Sequence, residues 1–487
     1  MPITSISRFV FNHRNYLDIS LAALVVLLVG CIVLITIIPP FQSPDEYDHI
    51  KRAYLLTNGV VVLDQPDGQN SGGYVDDGLL DYIHRYAVAK GRLSPEEITK
   101  ANAIKWSGST SYTPAPGTGY YFPAAYLPQA MGLWLGEQLQ LTNAHSYFLA
   151  RAFALATVIL LIFIAFKLYP PNPLVLALLA LPMSLFQFSS ASLDGVSTAL
   201  AIFAVSAFLR IASDGPRASQ WLLYTLTIVI AILASSRAHA LPLLLLIAGT
   251  FLYKRSSRSL FLFGVAVVLV VSWTTFALTT TVDLRVTLGK SSADVITYYL
   301  FNPTQLVSVL WHTLLSSDIQ GFYLRSFIGI LGWLDAPFAP GYYLYFSSGL
   351  LLVTLLTVAI KRNGHDWSQK LILASISGVS VLFIFFALLV TWTPHPATII
   401  SGVQGRYFLI PAIMLAYCVS GKASLNGNWR LGLATVVVFV LFVSSLSASV
   451  SLLIDRYYFV ERSTEPQSRL NWPGGSFERQ IRSADSG

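Results

Sequence analysis

Charged residues are scarce in this chain. Asp, Glu, Lys and Arg make up 11% of its 487 residues, whereas soluble globular proteins carry about 25%. Hydrophobic residues make up 54% and the mean hydropathy is +0.61, which places the chain in the integral membrane class. The formal net charge of +7 is spread over short loops rather than clustered, so no nucleic-acid partner is expected.

Cysteine and the common nucleotide- and metal-binding motifs are also missing. The two cysteines, Cys31 and Cys418, lie inside apolar runs, which argues against a disulfide framework. The sequence contains no P-loop, no glycine-rich dinucleotide fingerprint after a strand and no H-E-x-x-H zinc motif. A cytoplasmic site for a nucleotide sugar is therefore not expected.

Hydrophobic runs of about 20 residues, each long enough to cross a bilayer as a helix, recur along the chain. The first follows Arg8, His13 and Arg14 and is too long for a signal peptide, so we expect it to remain as an anchor. The runs predict an all-α integral membrane protein with eleven spans, at about 18–38, 146–168, 172–191, 194–212, 220–236, 239–253, 259–281, 342–360, 370–393, 405–420 and 430–453.

Basic residues orient these spans. With the N-terminus inside, the inner loops carry thirteen Lys and Arg residues against three Asp residues, a bias typical of cytoplasmic loops. Residues 119–135 are apolar enough to form a twelfth span, but a crossing there would place the basic segment 254–258 outside. We therefore predict that 119–135 lies along the membrane surface, with twelve spans as the alternative.

The spans define the other segments of the chain. We predict a cytoplasmic N-terminus at 1–17, a first transmembrane helix at 18–38, a large outer loop with juxtamembrane helices at 39–145, transmembrane helices 2–7 at 146–281, a second outer segment at 282–341, transmembrane helices 8–11 at 342–453 and an outer C-terminal tail at 454–487. Within the first outer loop, Ser94, Pro95 and Glu97 have the spacing of a capped helix start.

Ionisable residues are concentrated directly after the first span. Ser43, Pro44 and Glu46 fit the start of a helix, as its N-cap, first residue and capping-box glutamate. Asn58 and Gly59 fit its end. Capping is then sufficient to explain Glu46 without any chemistry. One face of this helix would carry candidate site residues that have no capping role: Asp45, Asp48, His49 and Arg52.

Other candidates lie where later spans meet the outer face. An ionisable group at such a position indicates function by default, and an outer arginine that departs from the positive-inside bias indicates an anionic ligand. Helix capping by Asp194 and snorkelling by Arg237 are the structural alternatives. The candidates are Asp194, Arg237, His239, Arg325, Asp335, Gln404, Arg406 and Tyr407.

Four motifs between about 40 and 410 carry a family resemblance. They are Pro44-Asp45-Glu46-x-x-His49, Pro182-Met183 with Gln187 and Ser190-Ala-Ser192-Leu-Asp194, Gly329-x-x-Gly332-Trp333-x-Asp335, and Gly402-Val403-Gln404-Gly405-Arg406-Tyr407. Together they resemble a family of uncharacterised bacterial polytopic membrane proteins. That family is similar to the GT-C glycosyltransferases, which use polyprenyl-phosphate sugars. The Tyr-Phe-Pro-x-x-Tyr-Leu-Pro segment at 121–128, followed by Ala150-Arg151, resembles their non-spanning juxtamembrane region.

The resemblance and the outer-face residues together predict a GT-C-type glycosyltransferase of the bacterial cytoplasmic membrane, active on its periplasmic or extracellular face. It would transfer a hexosyl or pentosyl group from a polyprenyl-phosphate donor to a glycan, lipid or protein acceptor of the cell envelope. Asp45, with Asp48 as the reserve and His49 beside them, would act as the general base. Arg406 and Arg237 would stabilise the departing phosphate.

Two other functions and one cofactor remain open. No cofactor is expected to be obligatory, but Asp45, Asp48 and His49 would hold a divalent cation such as Mg²⁺ or Mn²⁺ if one takes part. The alternative functions are a lipid-linked polysaccharide ligase or polymerase, and a lipid or polysaccharide transporter without catalysis. A transporter would show repeated halves and broken helices around a midplane site, and neither is expected from this sequence. Membrane lipid is the remaining expected partner.

Overall fold

A computed structural model describes residues 3–358, 367–419 and 429–459. Within these ranges the chain is mostly helical with little sheet, as expected for an all-α membrane protein. The predicted outer tail beyond residue 459 and most of two predicted inner loops, at 359–366 and 420–428, lie outside the described residues.

The helices are joined by connections that vary in length, the longest described of which are 58–76, 103–126 and 392–408. In chain order they are α1 Ile3–Ile37, α2 Glu46–Thr57, α3 Asp77–Val88, α4 Pro95–Asn102, α5 Leu127–Gln138, α6 Asn143–Leu168, α7 Pro173–Leu179, α8 Pro182–Phe188, α9 Leu193–Asp214, α10 Gln220–Ala234, α11 Leu244–Gly249, α12 Phe251–Lys254, α13 Ser257–Thr280, α14 Ser292–Phe301, α15 Pro303–Leu315, α16 Ser317–Ile328, α17 Pro340–Val358, α18 Trp367–Thr391, α19 Leu409–Val419 and α20 Trp429–Tyr457.

Short 3₁₀ turns and strands complete the described elements. The 3₁₀ turns are Thr118–Tyr120, Pro123–Tyr126, Gly215–Arg217, Ala238–Leu243 and Gly405–Phe408. In two antiparallel pairs, β1 Gly72–Asp76 pairs with β2 Thr110–Pro114, and β3 Ile330–Leu331 pairs with β4 Ala336–Pro337.

Among the described residues, seven helices are long and apolar enough to cross a membrane, rather than the eleven predicted. They correspond to α1, α6, α9, α13, α17, α18 and α20, with α9 almost wholly buried among the others. The other four predicted spans fall on shorter or interrupted helices, at α7–α8, at α10, at 238–254 and at 405–419. Proline is one physical reason, because Pro182 and Pro242 lack the N–H that a continuous helix needs.

The pair α7–α8 is a broken helix that the sequence reading did not expect. Asn172 caps α7, because its side-chain oxygen accepts hydrogen bonds from the N–H groups of Leu174 and Val175 at 3.0 and 3.1 Å. At the break, the hydroxyl of Ser184 donates to the carbonyl of Leu178 at 2.7 Å. A side chain thus satisfies a backbone group that the break leaves free, as membrane interiors require.

The predicted first outer loop folds into short helices and the β1–β2 pair. α4 begins with the predicted capping box, in which Ser94 and Glu97 exchange side-chain hydrogen bonds with each other's backbone N–H. α5 has twelve residues, a length of about 18 Å, which is too short for a hydrocarbon core of about 30 Å. It packs closely on α6, because a side chain at Gly132 would meet the Ala150 backbone at 2.5 Å.

Candidate functional site

The start of α2 differs from the predicted one. The helix begins at Glu46, and the N-cap position is occupied by Asp45 rather than Ser43. The Asp45 φ of 60° lies in the left-handed region, and its side chain makes no capping hydrogen bond. Asp45 lies outside the regular helix. It is therefore not on the helix face that it was predicted to share with Asp48 and Arg52. Its carboxylate remains 45% exposed.

Capping does not account for Glu46. Its carboxylate does accept a hydrogen bond from the Ser43 N–H at 3.3 Å, but the side chain is fully buried and pairs with Arg151. The Arg151 Nε and Nη2 atoms donate to the two Glu46 oxygens at 3.2 Å each, and the Ala191 N–H donates at 2.7 Å. Arg151 also donates to the carbonyls of Ile38 and Pro39. The pair therefore joins the end of α1, the start of α2, α6 and the segment before α9.

Two arginines from distant segments face the Asp45 carboxylate. Its Oδ1 atom lies 3.9 Å from Nη1 of Arg285, and its Oδ2 atom lies 3.9 Å from Nη2 of Arg406. Both distances exceed hydrogen-bond length, so the carboxylate is attracted but not locked. Arg285 itself is positioned by Asp283, to which it donates at 3.0 and 2.7 Å, and its guanidinium lies 5.1 Å from the Trp392 ring centroid.

Arg285 was missed by the sequence reading. A signal for it was present, since it is an arginine in a segment predicted to be outside, where the positive-inside bias disfavours one. Its position two residues after Asp283 is also compatible with a local ion pair. The structure shows that the local pair and the approach to Asp45 occur together.

Asp194 is the second carboxylate of the site. One of its oxygens is paired with Arg237, and the other lies 3.3 Å from Nη1 of Arg406. Gln187 donates to the same carboxylate at 3.4 Å. Arg406 therefore connects the two acids, with one nitrogen towards Asp194 and one towards Asp45. Residues predicted independently at four places in the sequence meet here.

Several buried polar atoms at or near this cluster have no hydrogen-bond partner within the described residues. Buried polar atoms are normally satisfied, so these atoms are local exceptions, as are others elsewhere in the described residues. Those at or near the cluster are Arg406 Nε, Gln187 Oε1, Gln404 Oε1 and Ser43 Oγ.

His49 borders the cluster as a neutral group. Its Nδ1 atom lies 2.9 Å from the hydroxyl of Tyr126, and its ring centroid lies 6.0 Å from that of Tyr121. Burial lowers the pKa of His49 to about 4, with smaller contributions from Arg237 and Arg406 in the same direction. At neutral pH the ring is therefore uncharged and serves as a hydrogen-bonding group.

Asp48 is separate from Asp45. It is buried, its carboxylate lies 2.8 Å from the Lys51 ammonium, and burial raises its pKa. Lys51 in turn donates to the carbonyl of Pro114. Among the described residues, no three His, Cys, Asp or Glu side chains form a group that could hold a metal ion. Asp45, Asp48 and His49 thus do not assemble the conditional metal set, because Asp48 and His49 point to different partners.

Other predicted residues lie at varying distances from the site. Arg52 donates to the carbonyls of Val60 and Val61 at 2.8 and 2.7 Å and closes the loop after α2. Asp335 pairs with Arg456 of α20. The Tyr407 ring lies 5.4 Å from the Arg406 guanidinium. His239 lies within electrostatic reach of Arg237 and Asp194. Arg325 is exposed and donates to the Gly321 carbonyl.

Comparison with known proteins identifies the family. A family model described as "Predicted membrane protein (DUF2142)" matches residues 27–416, which is most of the chain. No curated protein and no solved structure matches it. The match supports the expected membership of a membrane protein family, whereas the likeness to the GT-C glycosyltransferases remains a prediction. The chain belongs to the DUF2142 family of predicted membrane proteins.

Proposed function

We propose that this protein is a membrane glycosyltransferase that takes its sugar from a polyprenyl-phosphate carrier. The observation that carries the proposal is the setting of Asp45. Its half-exposed carboxylate lies between Arg285 and Arg406, 3.9 Å from each. The reaction needs a base that an acceptor hydroxyl can reach and positive charge beside the departing phosphate. The Asp45 side chain is 45% exposed, and the Arg285 and Arg406 side chains beside it are 23% and 4% exposed.

The membrane architecture fits a donor that arrives within the bilayer. We propose a GT-C-like bundle in the bacterial cytoplasmic membrane, in which the four shorter or interrupted helical segments complete eleven spans with the seven long helices. The site residues then lie at the outer ends of the spans. A polyprenyl chain can occupy the bilayer while its phosphate reaches this outer face.

Asp45 acts as the general base in the proposed reaction. Its carboxylate takes the proton of the acceptor hydroxyl while the acceptor oxygen forms a bond to the anomeric carbon of the sugar. The bond between that carbon and the phosphate oxygen breaks, and its electron pair stays with the phosphate. Arg406 and Arg285 stabilise the growing negative charge. Displacement of this kind inverts the anomeric configuration of the donor.

Asp45 is favoured over the other two predicted catalytic residues on physical grounds. Asp48 is buried against Lys51, so an acceptor hydroxyl does not reach it. His49 is 5% exposed and is bonded to Tyr126. We propose that His49 forms part of the boundary of the site. We also propose that Asp194 holds Arg237 and Arg406 in place. No divalent cation is needed in this scheme, because the arginines supply the positive charge.

A transporter is the second candidate, and the broken helix α7–α8 is the observation that favours it. Transporters bind their substrates at such breaks, where unwound backbone faces a cavity. In this protein Ala180 and Leu181 at the break are fully buried, and Ser184 occupies the Leu178 carbonyl. The break is therefore packed rather than open, which favours the enzyme.

Sugar transfer by purified protein tests the proposal. Protein in lipid vesicles is incubated with labelled polyprenyl-phosphate sugar and with acceptors extracted from cell envelopes. We expect wild-type turnover and a loss of about 100- to 10,000-fold in Asp45→Asn, the usual contribution of a general base. Asp81→Asn is the matched control, because Asp81 forms an exposed pair with Arg85 on α3.

The outcomes separate the candidate functions. Full activity of Asp45→Asn would exclude Asp45 as the base. Movement of the labelled lipid across the vesicle without sugar transfer would support the transporter. Transfer of long preassembled chains, but not of single sugars, would identify a polysaccharide ligase or polymerase.

A further inference from the structure

The second outer segment carries apolar side chains on its outside. Leu300 and Phe301 at the end of α14 are 70% and 82% exposed. On α15, exposed apolar residues recur at the i, i+4, i+7 and i+8 spacing that defines one helix face. That face consists of Val307, Trp311, Leu314 and Leu315. A soluble protein surface would normally turn such a stripe inward.

The same segment is almost free of charge. Between Asp294 and Asp318 the sequence contains no Asp, Glu, Lys or Arg. α14 and α15 have ten and thirteen residues, or about 15 and 20 Å, so neither helix can cross a bilayer. They connect α13 to α17 on the predicted outer side. Apolar helices of this length with one uncovered face are typical of elements that lie in the membrane interface.

We propose that α14 and α15 are embedded in the outer leaflet and that their exposed stripe contacts lipid acyl chains. Trp311 then lies at the level of the headgroups, where tryptophan is enriched. The opposite side of the segment is already occupied, since Val295, Tyr299 and Val309 pack with Phe385 and Leu389 of α18. In this arrangement one side of the segment packs on the protein and the exposed side contacts the bilayer.

This embedded segment leads directly to the site. α16 packs against the 3₁₀ turn Gly405–Phe408, where a side chain at Gly405 would meet the Tyr323 carbonyl oxygen at 2.1 Å and the Phe327 nitrogen at 2.2 Å. The hydroxyl of Ser326 also accepts a hydrogen bond from the Gly405 N–H at 2.8 Å. α16, which follows α15 directly, thus connects the proposed embedded segment to the turn that carries Arg406.

Site-directed fluorescence measures this depth in the full chain. The two native cysteines are replaced by alanine, and a polarity-sensitive fluorophore is attached at Phe301→Cys or Leu315→Cys. Both positions are exposed, so neither substitution disturbs the packed side. The labelled protein is placed in phosphatidylcholine–phosphatidylglycerol vesicles. Quenching is then compared between aqueous iodide and a phosphatidylcholine with a nitroxide on its acyl chain. Lys100→Cys on α4 is the control, because Lys100 is similarly exposed but lies on a charged helix.

We expect the labels at 301 and 315 to lose fluorescence with the nitroxide lipid and to resist iodide, and the label at 100 to behave in the opposite way. Iodide access at 301 and 315 equal to that at 100 would overturn the proposal. Shielding from both quenchers would also overturn it, since that result identifies a protein partner on this face. The measurement requires no sugar transfer, so its outcome is independent of the proposed function.

Discussion

Asp45 combines a half-exposed carboxylate with a backbone conformation that residues other than glycine rarely adopt. Its φ of 60° is better tolerated by Asp and Asn than by other residues with a Cβ. Such strain amounts to about 1–3 kcal/mol and persists only where the surroundings impose it. Asn at this position removes the charge and keeps the backbone, so Asp45→Asn separates chemistry from folding.

Arg406 contacts two carboxylates with different nitrogens, at 3.3 Å for Asp194 and 3.9 Å for Asp45. Lysine has a single nitrogen and cannot reproduce this fork. If Arg406 stabilises the leaving phosphate, Arg406→Lys should lower kcat about 100- to 1,000-fold, the usual effect of removing one preorganised donor. Initial rates with labelled donor measure the effect. Arg85→Lys, at an exposed pair, should leave the rate unchanged; a wild-type rate in Arg406→Lys would remove the phosphate role.

His49 makes the stability of the fold depend on pH. Burial lowers its pKa to about 4, whereas an unfolded histidine has a pKa of about 6.5. Between these values the unfolded chain binds more protons than the folded protein, so the free energy of unfolding decreases as the pH is lowered. We expect this group to contribute a loss of up to about 3 kcal/mol between about pH 6.5 and 4, and nothing above about pH 7.

Thermal unfolding midpoints in detergent, recorded from neutral to acidic pH, measure this dependence. His49→Gln keeps a hydrogen-bonding group for Tyr126 and cannot ionise, so its midpoint should fall less than that of the wild type. His84→Gln, at an exposed position on α3, should follow the wild type. Equal losses in wild type and His49→Gln would assign the pH dependence to other groups.

At the scale of elements, the buried pair Glu46–Arg151 connects α1, α2 and α6. Glu46→Gln leaves the Arg151 charge buried without its counterion, which typically costs about 3–5 kcal/mol. We expect a loss of that order in the free energy of unfolding. The double variant Glu46→Gln/Arg151→Met removes both charges and should lose less than the sum of the two single variants. Denaturant titration of the purified protein measures all three.

Arg210→Met is the control for that pair. Arg210 and Asp214 also form an ion pair, four residues apart on α9, but their side chains are 49% and 33% exposed, so their contribution is about 0–1 kcal/mol. A loss for Glu46→Gln no larger than that for Arg210→Met would mean that the burial of the pair has no energetic consequence.

The starts of α4 and α2 show how far a local sequence pattern predicts structure. The pattern Ser-Pro-x-Glu at Ser94 predicts its capping box, and the structure confirms it. The similar pattern at Ser43 does not produce the predicted start, because Glu46 is held by Arg151, 105 residues further on, and by Ala191. A local pattern predicts a helix start only where no distant partner competes for the capping side chain.

At the scale of the whole molecule, the sequence places the site residues on one face but not at one point. Hydropathy and the positive-inside bias put Asp45, Asp194, Arg237 and Arg406 on the same side. Neither contains the packing information that brings Arg406 between the two acids. Hydropathy also counts apolar runs without detecting a break such as the one at Pro182. Among the described residues, the eleven predicted runs correspond to seven long helices and four shorter or interrupted segments.

The orientation of the bundle depends on residues 119–135, since a crossing there would reverse every later span. α5 is too short to cross, so we expect Arg217 and Arg255 inside and Lys100 outside. Single cysteines at these three positions, in the cysteine-free background, are treated in intact cells with a membrane-impermeant maleimide. Lys100→Cys should react at once and the other two only after permeabilisation. Lys100 precedes the disputed segment and reacts under either topology, so immediate reaction at 217 and 255 would establish the twelfth span and place the basic loops outside.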